Sequence, residues 1–230
     1  MVYGKKKNIP VIFFLPLFPG AERINYTLGT AYMAAFLHNH GIKSTILPKE
    51  PQDLISILKE IKALGARILG ITTYDQVYSQ VKQVAKMAKA MMPELLVICG
   101  GPTATFADRV ILKDCNDIDL AVRGEGEESI LDIYRFINGE MCLEEIPGIT
   151  YRAGTEIIRN PDRPLIGINA PVDSQLDILP SPYESGILTG KEFGSGIQSS
   201  RGCVYRCTYC DGPAMFGYRV RFHSIDRVLN

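Results

Sequence analysis

The chain has 230 residues, 46% of them hydrophobic, and its 25 lysines and arginines are balanced by 25 aspartates and glutamates. That length and apolar content are enough for a sizeable core and one or two domains, which excludes a disordered chain. A formal net charge of zero supplies no global field to attract nucleic acid or an anionic membrane.

Lys5-Lys6-Lys7 ahead of Ile9 to Leu17 has the outline of a signal peptide. Pro10, Pro16 and Pro19 interrupt the run, which is far short of the roughly 20 apolar residues a membrane helix needs. Val11 to Leu15 reads instead as a strand buried on both faces of a parallel sheet. With clustered rather than dispersed cysteines, a reducing cytoplasm is the expected location.

A loop from Pro16 to Tyr26 leads to a helix over Thr27 to His40, stopped by Gly41. Lys43 to Leu47 gives a second strand, and Leu54, Ile55, Ile57, Leu58, Ile61 and Leu64 form a helical stripe. Arg67 to Ile71 is a third strand, followed by a helix with Val77, Val81, Val84, Ala85 and Ala88 on one face and lysines elsewhere. Leu95 to Cys99 runs into Gly100-Gly101-Pro102, and Ile118 to Val122 runs into Gly124-Glu125-Gly126-Glu127 and a helix to Asn138. This alternation predicts an α/β fold, a doubly wound, parallel, five-stranded sheet. Ligands of such sheets bind beyond the carboxyl ends of the strands, where the glycine loops lie.

Ile149 to Arg152 and Glu156 to Arg159 flank Ala153-Gly154-Thr155 as a hairpin, and prolines from Pro161 to Pro182 mark an irregular linker. Gly194 to Gln198 reads as a further strand and Ile225 to Asn230 as a further helix. The expected divisions are residues 1–140, a hairpin and linker over 141–193, and a last segment over 194–230.

Between them lies Ser200-Arg201-Gly202-Cys203-Val204-Tyr205-Arg206-Cys207-Thr208-Tyr209-Cys210, with three of the six cysteines in a C-x-x-x-C-x-x-C pattern. Three thiolates so close together indicate a metal site rather than a disulfide framework. They can hold three irons of a 4Fe-4S cubane and leave the fourth open. A zinc site is the alternative, with Asp211 or His223 as the nearest fourth ligand.

The loop, with its Ser-Arg-Gly lead-in and the trailing Gly217 to Ser224, resembles the cluster loop of radical S-adenosylmethionine (SAM) enzymes. The resemblance implies Cys203, Cys207 and Cys210 as cluster ligands, SAM on the open iron, and Tyr209 beside the cofactor. It also implies a 5'-deoxyadenosyl radical as the hydrogen-abstracting species and an electron donor such as flavodoxin or ferredoxin. Residues 8–140, through Leu28-Gly29, Gly70-Ile71-Thr72-Thr73, Cys99 to Pro102 and Gly124 to Glu127, resemble the cobalamin-binding domain of one large radical SAM class. By that resemblance Thr72, Thr73, Gly100, Gly101 and Gly124 line the groove for the nucleotide tail of cobalamin, and the last segment begins a partial TIM barrel. The loop after the first strand lacks the D-x-H-x-x-G histidine of methionine synthase-type domains, so any bound cobalamin is expected to have no protein histidine ligand.

The function expected from this is methylation or cyclisation of an unactivated carbon in a small-molecule or peptide substrate. A non-catalytic cobalamin-binding module with a vestigial cysteine loop and a structural zinc protein are the alternatives. Because a segment of under roughly 40 residues rarely folds alone, the chain is expected to be an amino-terminal fragment, a truncated product or half of a split enzyme. Alone it is expected to be inactive, with a separate chain as a candidate source of the rest of the barrel. Other residues have ordinary explanations. Cys99, Cys115 and Cys142 suit packing, and Glu125 and Glu127 suit a helix start. Arg201, Arg206, Arg219 and Arg221 suit either a role in balancing the thiolate-rich cluster or the SAM carboxylate or, equally, surface placement.

Overall fold

The computed structural model describes residues 11–16, 28–47, 53–189 and 196–229. The first loop, including Phe18 and Tyr26, lies outside the described residues, as does Gly194. The first half alternates as expected: β1 (Val11–Phe14), α1 (Leu28–Asn39), β2 (Ser44–Leu47), α2 (Leu54–Ala63), β3 (Ile68–Thr72) and α3 (Tyr78–Met91). It continues with β4 (Leu96–Gly100), α4 (Pro102–Asp114), β5 (Leu120–Val122) and α5 (Glu127–Ile137). The helix α4 fills an interval that the apolar pattern leaves unassigned; Pro102 starts it and non-helical angles at Ala107 kink it.

The strands β2, β1, β3, β4 and β5 lie side by side in that order, all parallel. Alternate side chains sort onto two faces, as the period of a strand requires. Ile12, Phe14, Leu69, Ile71, Val97 and Cys99 pack under α2, α3 and α4. Val11, Phe13, Ile68 and Ile98 pack under α1 and α5. The order reverses between β1 and β3, which is the position where doubly wound sheets open a crevice at their carboxyl ends.

The hairpin extends the five parallel strands: β6 (Ile149–Ala153) and β7 (Glu156–Arg159) join the sheet antiparallel beside β5, so that it has seven strands among the described residues. The short β5 would otherwise be an open edge. Arg123, buried at the end of β5, fixes the hairpin by donating to Thr150 Oγ1 at 2.5 Å and Asn160 O at 2.6 Å. Asp108 of α4 accepts from Thr150 and, at 3.1 Å, from Arg159.

Residues 161–189 contain no helix or strand, as the prolines predict. The next strand differs from the expectation. Residues 196–198 are irregular, and β8 runs over Ser200–Gly202, pairing antiparallel with β9 (Val220–Phe222) across the short helix α6 (Gly212–Phe216). Residues 196–198 have no apolar alternation to hold them in a sheet, whereas Arg201 and Arg221 anchor β8 and β9. The helix α7 (Ile225–Leu229) agrees with the sequence reading. Among the described residues no helix is long and apolar enough to cross a membrane.

Candidate functional site

A cavity of about 300 Å³ opens at the carboxyl ends of the parallel strands. Its floor is formed by Phe13, Gly70 to Thr72, Ile98 to Gly100 and Val122, the last residues of four neighbouring strands. Its opposite wall comes from far along the chain: Gln198, Arg201, Asp211, Gly212, Met215 and Phe216. Asp211 directly follows the last cysteine of the cysteine loop. One volume thus borders both the glycine loops and the segment leaving that loop.

The sheet-side candidates divide. Thr72, Gly100, Gly101 and Gly124 line the cavity. Thr73 does not: it is fully buried, its hydroxyl donates to Ile71 O at 3.2 Å, and its amide donates to Gly100 O at 2.8 Å. Its backbone carbonyl lies 3.1 Å from where a Gly101 Cβ would stand, and Gly101 has φ 92°, so a side chain there is strained twice. Thr105 of α4 was not anticipated. Its hydroxyl donates to Gly101 O at 2.9 Å and accepts from Gly124 N at 3.0 Å, tying the two glycine loops together. A hydroxyl one turn into the helix after Gly-Gly-Pro is the available sequence signal.

A Cβ placed on Gly29, Gly100 or Gly124 would meet nothing within 4 Å. Side chains would fit at Gly29 and Gly100, so those two glycines are not required by packing and leave open space for a ligand, whereas at Gly124, with φ 69°, a side chain is strained despite the room. Cys99 also borders the cavity, but burial pushes its thiol up to about 12, so it stays protonated and is a poor metal donor.

Cys203, Cys207 and Cys210 lie on the loop between β8 and α6, the first half-buried and the others exposed, all free. Cys210 N donates to Cys207 O at 3.2 Å, a turn that brings the last two close along the backbone. Among the described residues no three His, Cys, Asp or Glu side chains converge as a metal-binding group. The donor set still suits iron: three free thiols within eight residues, two of them exposed. Tyr209 is 90% exposed, on the outer side with Phe106, and does not line the cavity. Of the fourth ligands considered for zinc, His223 is otherwise placed, buried between Tyr32 Oη at 3.3 Å and Asp177 Oδ1 at 3.1 Å, while Asp211 borders both the cavity and the outer pocket that holds Tyr209 and Cys210.

Gly202, immediately before Cys203, has φ 103°, and a Cβ on it would stand 2.0 Å from Arg219 O. Only glycine permits that approach of β9 to the start of the loop. The charges beside it correct the sequence reading. Arg201, Arg221, Glu125 and Glu127 are all buried, neither on the surface nor merely at a helix start. Arg201 donates to Glu125 Oε1 at 2.9 Å and to Glu127 Oε1 at 2.6 Å, and its guanidinium lies 5.1 Å from the centre of the Tyr32 ring. Arg221 donates to Glu125 Oε2 at 2.8 Å and Oε1 at 3.0 Å. Burial pushes the Glu125 carboxyl upward, but the hydrogen bond from Arg221 and the charge of Arg201 outweigh it and hold it below the usual range. No local period reveals such a pairing, which is why the sequence alone missed it.

Residues 21–133 match the B12 binding domain family. An uncharacterized methyltransferase of Pyrococcus horikoshii is 33% identical over 206 residues, which is 88% of this chain and 44% of that protein. The cobalamin-dependent radical SAM methyltransferase TokK of Streptomyces tokunonensis is 25% identical over 175 residues, 71% of this chain and 25% of its own. The chain therefore spans less than half the length of these curated relatives. Among solved structures, the cobalamin-dependent SAM radical enzyme OxsB, with aquacobalamin and SAM bound, superposes with a TM-score of 0.75 at 18% identity. That match covers 96% of this chain and 31% of OxsB, and it supports the fold.

Proposed function

We propose, from the premise that this chain carries the B12-binding domain and the cysteine loop of the cobalamin-dependent radical SAM proteins, that it holds cobalamin against a SAM-binding 4Fe-4S cluster for methyl transfer to an unactivated carbon. The observation that carries the reading is the shared cavity, walled on one side by Gly100, Gly101 and Gly124 and on the other by Asp211, Gly212 and Met215. Methyl transfer is put first because the relative of 33% identity is named a methyltransferase, and cyclisation is the alternative, since a relative 30% identical over 124 residues is named a cyclase.

When bound, the cluster and SAM supply a 5'-deoxyadenosyl radical, and cobalamin supplies the methyl group. The chain's residues have the tasks of binding, orienting and excluding water. Gly100, Gly101 and Gly124 let the backbone approach the nucleotide tail of cobalamin, and a cavity at the lower end of the usual ligand range, about 300 to 1,000 Å³, suits that tail rather than the whole cofactor. Thr72 presents a hydroxyl at the cavity and is 3.2 Å from Thr30 Oγ1. Thr105 keeps the two loops in register. Cys203, Cys207 and Cys210 would each ligate one iron, with Tyr209 covering the outer side of the cluster. Met215 and Phe216 of α6 shield the cavity from water.

A one-electron donor such as flavodoxin or ferredoxin, a cytoplasmic setting, and barrel segments supplied beyond these residues complete the proposal. The second reading, a cobalamin module whose cysteine loop carries no cluster, is favoured by the unconverged thiols. Titration with aquacobalamin, read by its visible absorption, tests the groove under both readings. Saturable binding by wild type is expected, and no spectral change or no saturation would refute it.

A further inference from the structure

The loop carrying the three cysteines leaves from β8 and returns through β9, whose residues Arg201 and Arg221 are direct cross-strand partners. Two like charges opposite each other on a ladder repel. Both are buried, so water does not relieve the repulsion. Glu125, on the loop between β5 and α5, accepts from both: Oε1 from Arg201 at 2.9 Å and from Arg221 at 3.0 Å, Oε2 from Arg221 at 2.8 Å. The remaining capacity of Oε2 takes the Ile166 amide at 2.8 Å, so the carboxylate is held from the linker as well. Glu127 lacks this reach, since it meets Arg201 and not Arg221.

We propose that Glu125 is a positioning residue that pins both ends of the cysteine loop to the cavity wall, so that loss of its charge releases residues 200–222 while leaving the parallel sheet folded. The functional meaning rests on the cofactor reading above: Glu125 sets the separation between cluster and cobalamin. Its structural content does not depend on either cofactor.

The test is amide hydrogen exchange on the cofactor-free chain, comparing wild type with Glu125→Gln, which preserves volume and removes charge. Exchange in β8 and β9 is expected to rise by roughly tenfold or more, the effect of losing a hydrogen bond to a charged group. β3 and β4 should keep their protection. Arg221→Lys keeps the charge but not the fork, and is read in the same way as the milder variant. Exchange in β8 and β9 within twofold of wild type, or an equal loss in β3 and β4 with both variants, would overturn the proposal.

A second readout separates positioning from folding. With cob(II)alamin and the reduced cluster both loaded, magnetic coupling between the two spins should weaken in Glu125→Gln at unchanged iron and cobalt content. Unchanged coupling would overturn the proposal. A wild-type chain that loads neither cofactor would remove the cofactor reading and leave the exchange comparison to decide on Glu125.

Discussion

Arg201 and Arg221 are paired residues across two short strands, and both donate to the Glu125 carboxylate between them. Next to this group, Tyr32 lies under Arg201 and meets His223 Nε2 at 3.3 Å, and His223 Nδ1 meets Asp177 at 3.1 Å. The natural assignment is a neutral imidazole that donates from Nδ1 to Asp177 and accepts from the Tyr32 hydroxyl. Burial lowers the His223 value below its ordinary 6.5 despite the opposing pull of Asp177.

These shifts set the pH dependence. A histidine depressed in the folded state contributes a loss as pH falls below 6.5, because the unfolded chain takes up a proton the folded one resists. The loss is complete below the depressed folded value. Glu125 acts lower: its contribution is fully present above the ordinary 4.5 and is lost as pH falls through its depressed folded value. Near-ultraviolet dichroism of the tyrosines in denaturant, from pH 8 to about 2, should therefore show stability falling in two stages, the first below 6.5 and the second below 4.5. His223→Gln should remove the upper stage. A profile that stays flat between pH 7 and 5 would contradict the assignment.

Filling the cradle should separate binding from folding. Gly100→Leu meets no atom within 4 Å at its Cβ, so the thermal midpoint should hardly move while aquacobalamin binding is lost. Gly101→Ala, at φ 92° and ψ −171°, a region open essentially to glycine alone, and against Thr73 O, should instead cost about 1–3 kcal/mol of stability. Equal cobalamin affinity in Gly100→Leu and wild type would place the ligand elsewhere.

The hairpin anchor carries a stability prediction. Removing one partner of a buried charge pair costs about 3–5 kcal/mol, and Arg123→Met leaves Asp108 buried with only the exposed Arg159 and the Thr150 hydroxyl. Since Arg159 offsets part of the charge, urea denaturation should show a loss near the lower end, about 3 kcal/mol. A loss under about 1 kcal/mol, the range of exposed pairs, would show that the hairpin is held by its apolar face alone.

The cysteines predict a clear division. Cys203→Ala, Cys207→Ala and Cys210→Ala should each reduce reconstituted iron severely. Cys99→Ala and Cys142→Ala should retain it, the first because its thiol is buried and protonated, the second because it lies before β6, away from the loop. Iron retained in a Cys207→Ala chain would exclude it as a ligand.

How much of this was legible depends on whether the cause was local. The apolar runs of β1, β3 and β4 and the stripes of α2 and α3 arise from burial along one element, so they show in the sequence. The hairpin turn at Gly154 was equally local, but its docking beside β5 depends on Arg123 meeting Thr150 and Asp108, contacts between residues far apart. The same holds for Glu125 and Arg221, 96 positions apart, which individually resemble a helix-start acid and a surface base. Thr73, one residue past β3, turns its hydroxyl to Ile71 O and its amide to Gly100 O, contacts that the run Gly-Ile-Thr-Thr does not display. The three-residue β8 is too short for any period, which is why its position shifted from the expected 194–198.

The account's central claim is that the cysteine loop holds an iron cluster with an open site beside the cobalamin groove. The most direct measurement is anaerobic reconstitution of the chain followed by electron paramagnetic resonance of the reduced protein with and without SAM. The account predicts about four irons per chain and a reduced-cluster signal that SAM shifts. Zinc in place of iron, or a reduced-cluster signal indifferent to SAM, would contradict it.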